Sequence, residues 1–104
     1  MKNVSAVLTV KFSSYLSPNQ LIQVCEEDLN IFRNVPGLIE KYYITEESTG
    51  AISGIYLFDS KSARGTFWTS ELAAQIPDRY GIIADSLRVE EYDMAIVLNE
   101  VVTA

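Results

Sequence analysis

Two basic side chains, Lys41 and Arg88, lie within apolar stretches of this sequence and are the candidate catalytic residues. If Lys41 points inward from its stretch, desolvation lowers its pKa, and the amine can then act as a base or hold an anion. Arg88, between Leu87 and Val89, can clamp an enolate or a phenolate. The alternatives stay open: an edge-strand Lys41 that points into water, and an Arg88 that pairs with a strand glutamate such as Glu90.

Three aromatic side chains, Tyr43, Tyr56 and Trp68, are candidates for binding a flat small-molecule substrate. Tyr43 and Tyr56 fall on predicted neighbouring antiparallel strands, where they can meet as a cross-strand pair with two ring faces and two hydroxyls. Trp68 lies in a predicted helix and can roof a pocket. Packing of these rings in the core, or of Trp68 at a subunit contact, is the alternative.

Several kinds of chemistry are excluded by composition. The chain has no His and a single cysteine, Cys25, which excludes a Ser-His-Asp nucleophile, an internal disulfide and a zinc site. We interpret Cys25 as a small core residue. Adjacent carboxylates such as Glu46-Glu47 and Glu90-Glu91 point to opposite faces of a strand, so we expect no shared metal site.

Size and charge limit the partners. A chain of 104 residues predicts one domain, residues 1–104. The net charge is −6 and the eight basic residues are scattered, which argues against binding to nucleic acid or to an anionic membrane surface. We find no apolar run of membrane-spanning length and no signal-peptide core, so we expect a cytoplasmic protein.

The hydrophobic patterning predicts alternating strands and helices. Residues 4–12 form a central strand, and Ser17-Pro18-Asn19-Gln20 begins a helix that ends at Val35-Pro36-Gly37. We interpret the acidic residues 26–28 as a solvated face of that helix. Residues 38–46 and 51–58 form a hairpin around a turn at 47–50.

The second half of the sequence predicts further helices followed by a last strand. A helix capped by Asp59 or Ser60 runs to about residue 68, and a short helix over 70–75 is ended by Pro77. Gly81 precedes a last strand over residues 82–92. Residues 94–102 fit either a strand or a short helix, and both stay open.

The predicted order β-α-β-β-α-β indicates an α+β, ferredoxin-like plait: a four-stranded antiparallel sheet with its helices on one face. The hairpin strands are apolar on both faces, and a soluble monomer rarely exposes so large an apolar patch. We therefore predict a homodimer in which two sheets pack face to face.

Four short segments form a recognisable pattern: Pro36-Gly37-Leu38, Lys41 with Tyr43, Gly54-Ile55-Tyr56-Leu57-Phe58 and Lys61-Ser62-Ala63. They resemble the dimeric α+β-barrel superfamily of antibiotic-biosynthesis-type mono-oxygenases, and in particular its YdhR-type branch. The resemblance covers nearly the whole chain in layout, and its specific motifs lie between residues 36 and 63.

The resemblance implies a cofactor-independent mono-oxygenase that acts on an aromatic or polyketide-like small molecule, with no metal or flavin. The substrate supplies the electrons once it is deprotonated, and the protein stabilises the anion in a dry cavity. Because the chain has no His, a His base is not available to it. A non-oxidative isomerase or cyclase, and a non-catalytic small-molecule-binding dimer, are the alternatives.

Overall fold

The computed structural model describes residues 3–96 and shows a four-stranded antiparallel sheet covered by helices. The strands are β1 (Ala6–Phe12), β2 (Leu38–Thr45), β3 (Ile52–Phe58) and β4 (Arg88–Asp93), in the spatial order β2-β3-β1-β4. The helices are α1 (Pro18–Glu27), α2 (Leu29–Arg33), α3 (Lys61–Trp68) and α4 (Glu71–Arg79). The predicted ferredoxin-like plait is confirmed, and β1 is a central strand.

The core lies between one face of the sheet and the helices. Residues along β1 and β3 alternate between buried and partly exposed, as expected for a sheet that helices cover on one side only. No helix within residues 3–96 covers the second face. Fourteen buried side chains form one contiguous cluster: Ala6, Leu8, Val10, Phe12, Leu21, Cys25, Phe32, Ile52, Tyr56, Phe58, Phe67, Ala73, Ile76 and Tyr80.

The first helical segment begins as predicted but is interrupted. Ser17 and Gln20 form the expected capping box, in which the Ser17 N–H donates to Gln20 Oε1 at 2.9 Å. The predicted single helix is wrong, because the chain turns at Asp28 and restarts as α2. Asp28 is only 6% exposed, so its assignment to a solvated face is also wrong, whereas Glu26 and Glu27 are exposed.

The second helical segment is longer than predicted. Ser60 caps α3 and Ser70 caps α4, each accepting a hydrogen bond from the backbone N–H three residues later. The expectation that Pro77 ends the helix is wrong, since α4 includes Pro77 and continues to Arg79. Pro77 lies in the last turn, where the missing N–H affects few helical bonds, and its carbonyl accepts the Ile82 N–H at 2.9 Å.

The last strand is shorter than predicted. Ile82 makes only an isolated bridge to Ser14, and a 3-10 turn over Ala84–Ser86 precedes β4. Ser86 fixes this turn, because its hydroxyl accepts the Ser13 N–H at 2.8 Å and donates to the Ile83 carbonyl at 2.6 Å. Residues 94–96 have no helix or strand, and the rest of the 94–102 segment lies outside the described residues.

The proline-glycine turn before β2 packs directly on α3. Gly37 has a φ of +78°, and a Cβ there would lie 2.4 Å from the Ala63 Cβ. Pro36-Gly37-Leu38 and Lys61-Ser62-Ala63, two of the segments that carry the family resemblance, therefore lie side by side in the fold. None of the helices within residues 3–96 has the length and apolar character that crossing a membrane requires.

Candidate functional site

A β-bulge turns Lys41 toward the helices. Leu38 pairs with Phe58 and Glu40 pairs with Leu57, so Ile39 is an extra residue in β2. An extra residue shifts the alternation by one, which places Lys41 on the same covered face as Leu38. The water-facing alternative for Lys41 therefore does not hold.

Aromatic rings surround the Lys41 amine on the inner face. Its Nζ lies 3.3 Å from the centroid of the Phe32 ring, 4.2 Å from that of Tyr43 and 4.4 Å from that of Tyr56. The ring of Tyr80 lies slightly farther away, at 5.8 Å. We call these four rings the aromatic cage. They come from α2, β2, β3 and the residue that follows α4, so the whole fold is needed to assemble the cage.

Two tyrosine hydroxyls extend the polar contacts of Lys41. Its Nζ donates a hydrogen bond to the Tyr43 hydroxyl at 2.6 Å, and the Tyr43 and Tyr80 hydroxyls share a second one at 2.9 Å. Tyr80 is 2% exposed and caps the C-terminal end of α4. Gly81, at a φ of +60°, follows it and lets the chain turn away. A hydroxyl relay therefore runs from the amine toward α4.

Burial changes the acid–base behaviour of the cage. Desolvation lowers the pKa of Lys41 from its ordinary 10.5 to about 7, and the nearby Cys25 and Asp28 oppose part of this shift. The ring faces attract the ammonium and therefore also oppose the lowering of the Lys41 pKa. Burial raises the pKa of Tyr43 and of Tyr80 above the ordinary phenol value, so both hydroxyls keep their protons near neutral pH. Only the Lys41 amine changes its charge in this range.

Two further ionisable groups border the cage. Burial raises the pKa of the Cys25 thiol, while the Lys41 charge and a hydrogen bond to Tyr43 partly offset that rise. The buried Asp28 carboxylate accepts hydrogen bonds from Arg79 of α4, at 3.0 Å from Nη2 and 3.3 Å from Nε. This ion pair ties the α1–α2 break to α4 and holds Tyr80 close to the cage. Within residues 3–96, no three His, Cys, Asp or Glu side chains gather in a metal-binding arrangement.

Two open grooves reach the residues of the cage. The first, which we call the β2 groove, has a volume of about 440 Å³ and runs along edge strand β2 beside α2. The second, of about 310 Å³, lies between α2 and α4 and reaches Phe32 and Tyr80. The first volume is within the range of small-molecule sites. The β2 groove is lined by Leu29, Phe32, Arg33, Leu38, Ile39, Glu40, Lys41 and Tyr42.

The structure does not bring all the predicted site residues together. Tyr43 and Tyr56 are not directly opposite each other, because the strand register puts Lys41 opposite Tyr56 and Gly54 opposite Tyr43. The two tyrosines are diagonal neighbours instead, and both contribute rings to the cage. Trp68 packs at the end of α3, where its ring lies 6.5 Å from that of Phe67. The cage is formed by other rings.

Arg88 lies on the opposite face of the sheet from Lys41. It is exposed and pairs with Lys11 of β1, whose side chain points away from the helices. The neighbouring pair, Val89 with Val10, occupies the covered face. Within one chain Lys41 and Arg88 therefore cannot act on the same substrate.

The sequence analysis missed Phe32, Tyr80 and Asp28 as neighbours of the site. Tyr80 follows a proline-containing segment that was predicted to be outside a helix, so no periodicity pointed to it. Asp28 is flanked by Glu27 on its N-terminal side and looked like part of an exposed acidic run. The available signal was its spacing from Cys25 and Phe32, which places it near the buried stripe of the helix.

Comparisons with known proteins agree with the fold. No protein-family model matches the sequence, and no curated protein matches it. Among solved structures, the chain is similar to a monooxygenase of Streptomyces coelicolor, ActVA-Orf6, in complex with nanaomycin D, at 17% identity and a TM-score of 0.68, with 90% of each chain covered. It is also similar to SnoaB, a cofactor-independent oxygenase of Streptomyces nogalater, at 10% identity and a TM-score of 0.65, with 91% of this chain and 95% of that chain covered.

A third similar structure is NE2512 of Nitrosomonas europaea, a protein of unknown function, at 12% identity and a TM-score of 0.70, with 93% of this chain and 95% of that chain covered. Identities this low establish a shared fold. The fold that the resemblance to antibiotic-biosynthesis-type mono-oxygenases predicted is therefore confirmed.

Proposed function

We propose that the protein is a cofactor-independent mono-oxygenase in which Lys41 removes a proton from a flat aromatic or polyketide-like substrate. One observation carries the proposal: Lys41, whose buried amine has a pKa of about 7, is among the residues that line a groove of small-molecule size. A base is most effective when its pKa lies near the working pH. The shared fold with SnoaB and ActVA-Orf6 supports oxygenation as the reaction type.

The chemistry follows from the contacts of Lys41. The neutral amine accepts a proton from a phenolic O–H or an activated C–H, and the ammonium that forms is stabilised by the ring faces of the cage. The substrate anion then reduces dioxygen and forms a carbon–oxygen bond. Overall the substrate carbon loses two hydrogens and gains one oxygen atom, and the second oxygen atom leaves as water. The ammonium and the Tyr43 hydroxyl are the groups available to stabilise the anion.

Oxygen consumption tests the proposal. Anthrone-type and quinol-type compounds are supplied to the wild-type protein and to Lys41→Met, with Lys61→Met, an exposed lysine on α3, as the matched control. We expect uptake by the wild type that rises as the pH passes through about 7, because only the neutral amine accepts a proton. Loss of the base lowers the rate about a hundredfold or more, and Lys61→Met leaves it unchanged. Substrate binding without oxygen uptake across the panel would contradict oxygenation.

A non-catalytic binding role is favoured by a different observation. The aromatic cage packs closely on Nζ, with the Phe32 ring centroid at 3.3 Å, and this arrangement stabilises the ammonium rather than the base. Anaerobic incubation separates the remaining alternatives. Conversion of the substrate to a product without oxygen indicates an isomerase or cyclase that uses the same base. Substrate that stays bound and unchanged indicates a binding protein.

We also propose that two copies pack through the uncovered face of the sheet. Tyr42, Ile44 and Tyr92 are 49%, 49% and 47% exposed there, and Ile55 and other partly exposed apolar residues lie between them. Light scattering at micromolar concentration should report a dimer. Ile55→Glu should give a folded monomer, because it buries an unpaired charge in the contact. Ile22→Glu, at an exposed isoleucine of α1, is the matched control and should remain dimeric. A monomeric wild type would contradict the proposal.

A further inference from the structure

We propose that Lys41 also forms imines with aromatic aldehydes or ketones bound in the β2 groove. This activity is separate from the proposed oxygenation, since it needs neither dioxygen nor substrate deprotonation. It uses the amine as a nucleophile toward carbon instead of a base toward hydrogen. The argument rests on what surrounds Nζ and on what lines the groove.

The surroundings of Nζ favour the condensation. The four rings of the aromatic cage surround the amine and reduce its contact with water, which favours an imine over its hydrated precursor. The Tyr43 hydroxyl, 2.6 Å from Nζ, keeps its proton near neutral pH and is placed to act as an acid. Tyr80, 2.9 Å beyond it, can return a proton to Tyr43. The carbonyl carbon thus meets a nucleophile and an acid at adjacent positions.

Each step balances without an external oxidant. The Nζ lone pair attacks the carbonyl carbon, the C=O π pair moves to oxygen, and a proton transfers from nitrogen to that oxygen to give a carbinolamine. Tyr43 protonates the carbinolamine hydroxyl, which leaves as water while the nitrogen lone pair forms the C=N bond. A proton lost from nitrogen returns to Tyr43 and leaves a neutral imine.

The apolar part of the groove fits an aromatic body for the carbonyl compound, and Arg33 and Glu40 are among the polar residues that line the rest. Leu29, Phe32, Leu38 and Ile39 provide apolar walls beside Lys41. Its volume of about 440 Å³ accepts an aromatic ring with substituents. Aliphatic sugars and other strongly hydrated aldehydes would lose hydrogen bonds to water on entry, so aromatic carbonyl compounds are the expected class.

The other lysines within residues 3–96 lack this environment. Lys11 pairs with Glu46 at 3.1 Å and Lys61 with Asp93 at 3.2 Å, and all four of these side chains are well exposed to solvent. An ordinary exposed lysine is about one part in a thousand or less neutral near pH 7. About half of the Lys41 amine is neutral there, so its free-amine fraction is several hundredfold higher or more.

Reductive trapping tests the inference on the wild-type protein. Benzaldehyde and sodium cyanoborohydride are added near neutral pH, and the benzylated positions are mapped by peptide mass spectrometry. We expect the initial rate of benzylation at Lys41 to exceed that at Lys61 by at least about tenfold. Labelling of the α-amino group is mapped separately, because that group is also partly neutral near pH 7. Benzylation of Lys11 and Lys61 with Lys41 unmodified would overturn the inference.

Two variants separate the imine from the surrounding structure. Lys41→Arg keeps the positive charge but cannot form an imine, and it should lose the label at that position. Tyr43→Phe keeps the ring and removes the acid, so it should slow trapping while the circular dichroism spectrum stays unchanged. Equal trapping rates in Tyr43→Phe and wild type would refute the assigned acid.

The two activities can fail independently. Trapping is carried out without oxygen, and the oxygenase assay contains no reducing agent. Oxygen uptake that depends on Lys41, without trapping, would keep the proposed function and reject imine formation. Trapping without oxygen uptake would support imine formation and reject the proposed function.

Discussion

Replacing Lys41 with methionine is expected to stabilise the protein at neutral pH, by an amount that shrinks as the pH rises. Methionine has a similar length and no charge, and it fits among aromatic rings. The wild-type amine must either carry its charge into the aromatic cage or release its proton on folding. Both options cost free energy that methionine avoids.

The size of the effect follows from the two pKa values of Lys41. Folding lowers the pKa from 10.5 to about 7, so between these values the unfolded chain binds a proton that the folded chain has released. The free energy of unfolding therefore rises with pH in this window, by about 1.4 kcal/mol per pH unit, and Lys41 contributes no slope below it or above it. From about pH 6 to about pH 9.5, the wild type gains about 3 kcal/mol relative to Lys41→Met.

Urea unfolding of both proteins across this pH range measures the difference. The protein concentration is held constant, because the proposed dimer would make apparent stability depend on it. Subtracting the two curves removes the titrations that the proteins share. Parallel curves would show that the pKa of Lys41 is not lowered by folding, and both the base and the imine chemistry would lose their physical basis.

Two further substitutions test how the site is held in place. Gly37→Ala should destabilise the protein by about 2 kcal/mol or more in thermal unfolding, since its Cβ would lie 2.4 Å from that of Ala63; Gly50→Ala, at φ +72° in open space, should cost less. Equal losses would show that the turn does not pack tightly on α3. Asp28→Asn should lower the melting temperature more than Glu27→Gln does, because the Asp28 carboxylate is buried and the Glu27 carboxylate is exposed. Similar effects would contradict a role for the buried ion pair.

The sheet could be predicted because its signals are local and redundant. The alternation in β1, the capping box at Ser17 and the hairpin around Gly50 each specify an element without tertiary information. The errors arose where tertiary contacts override local preference. Pro77 lies in the last turn of α4, where its carbonyl bonds to Ile82, and a turn held by the hydrogen bonds of Ser86 stands where the strand from residue 82 was predicted to begin.

The site was predictable only in part. Lys41 and Tyr43 were recognised from residue type and position, but which face Lys41 occupies depends on the bulge at Ile39. A bulge has no reliable signal in a single sequence, and it reverses every side chain beyond it. Arg88 was grouped with Lys41 by chemistry alone, whereas the pairing of β4 with β1 places it on the other face.

The energetics of Lys41 distinguish it from an ordinary core residue. Near pH 7 its unfavourable burial costs about 4 kcal/mol, a large share of the 5–15 kcal/mol that stabilises a typical domain. Packing does not require that cost, since a methionine in the same place would contact the same rings without it. Perturbed ionisable groups beside a groove concentrate at functional sites, where chemistry needs the altered pKa. Lys41 is buried at a cost in free energy and also borders a groove, whereas Arg88 is exposed on the far face.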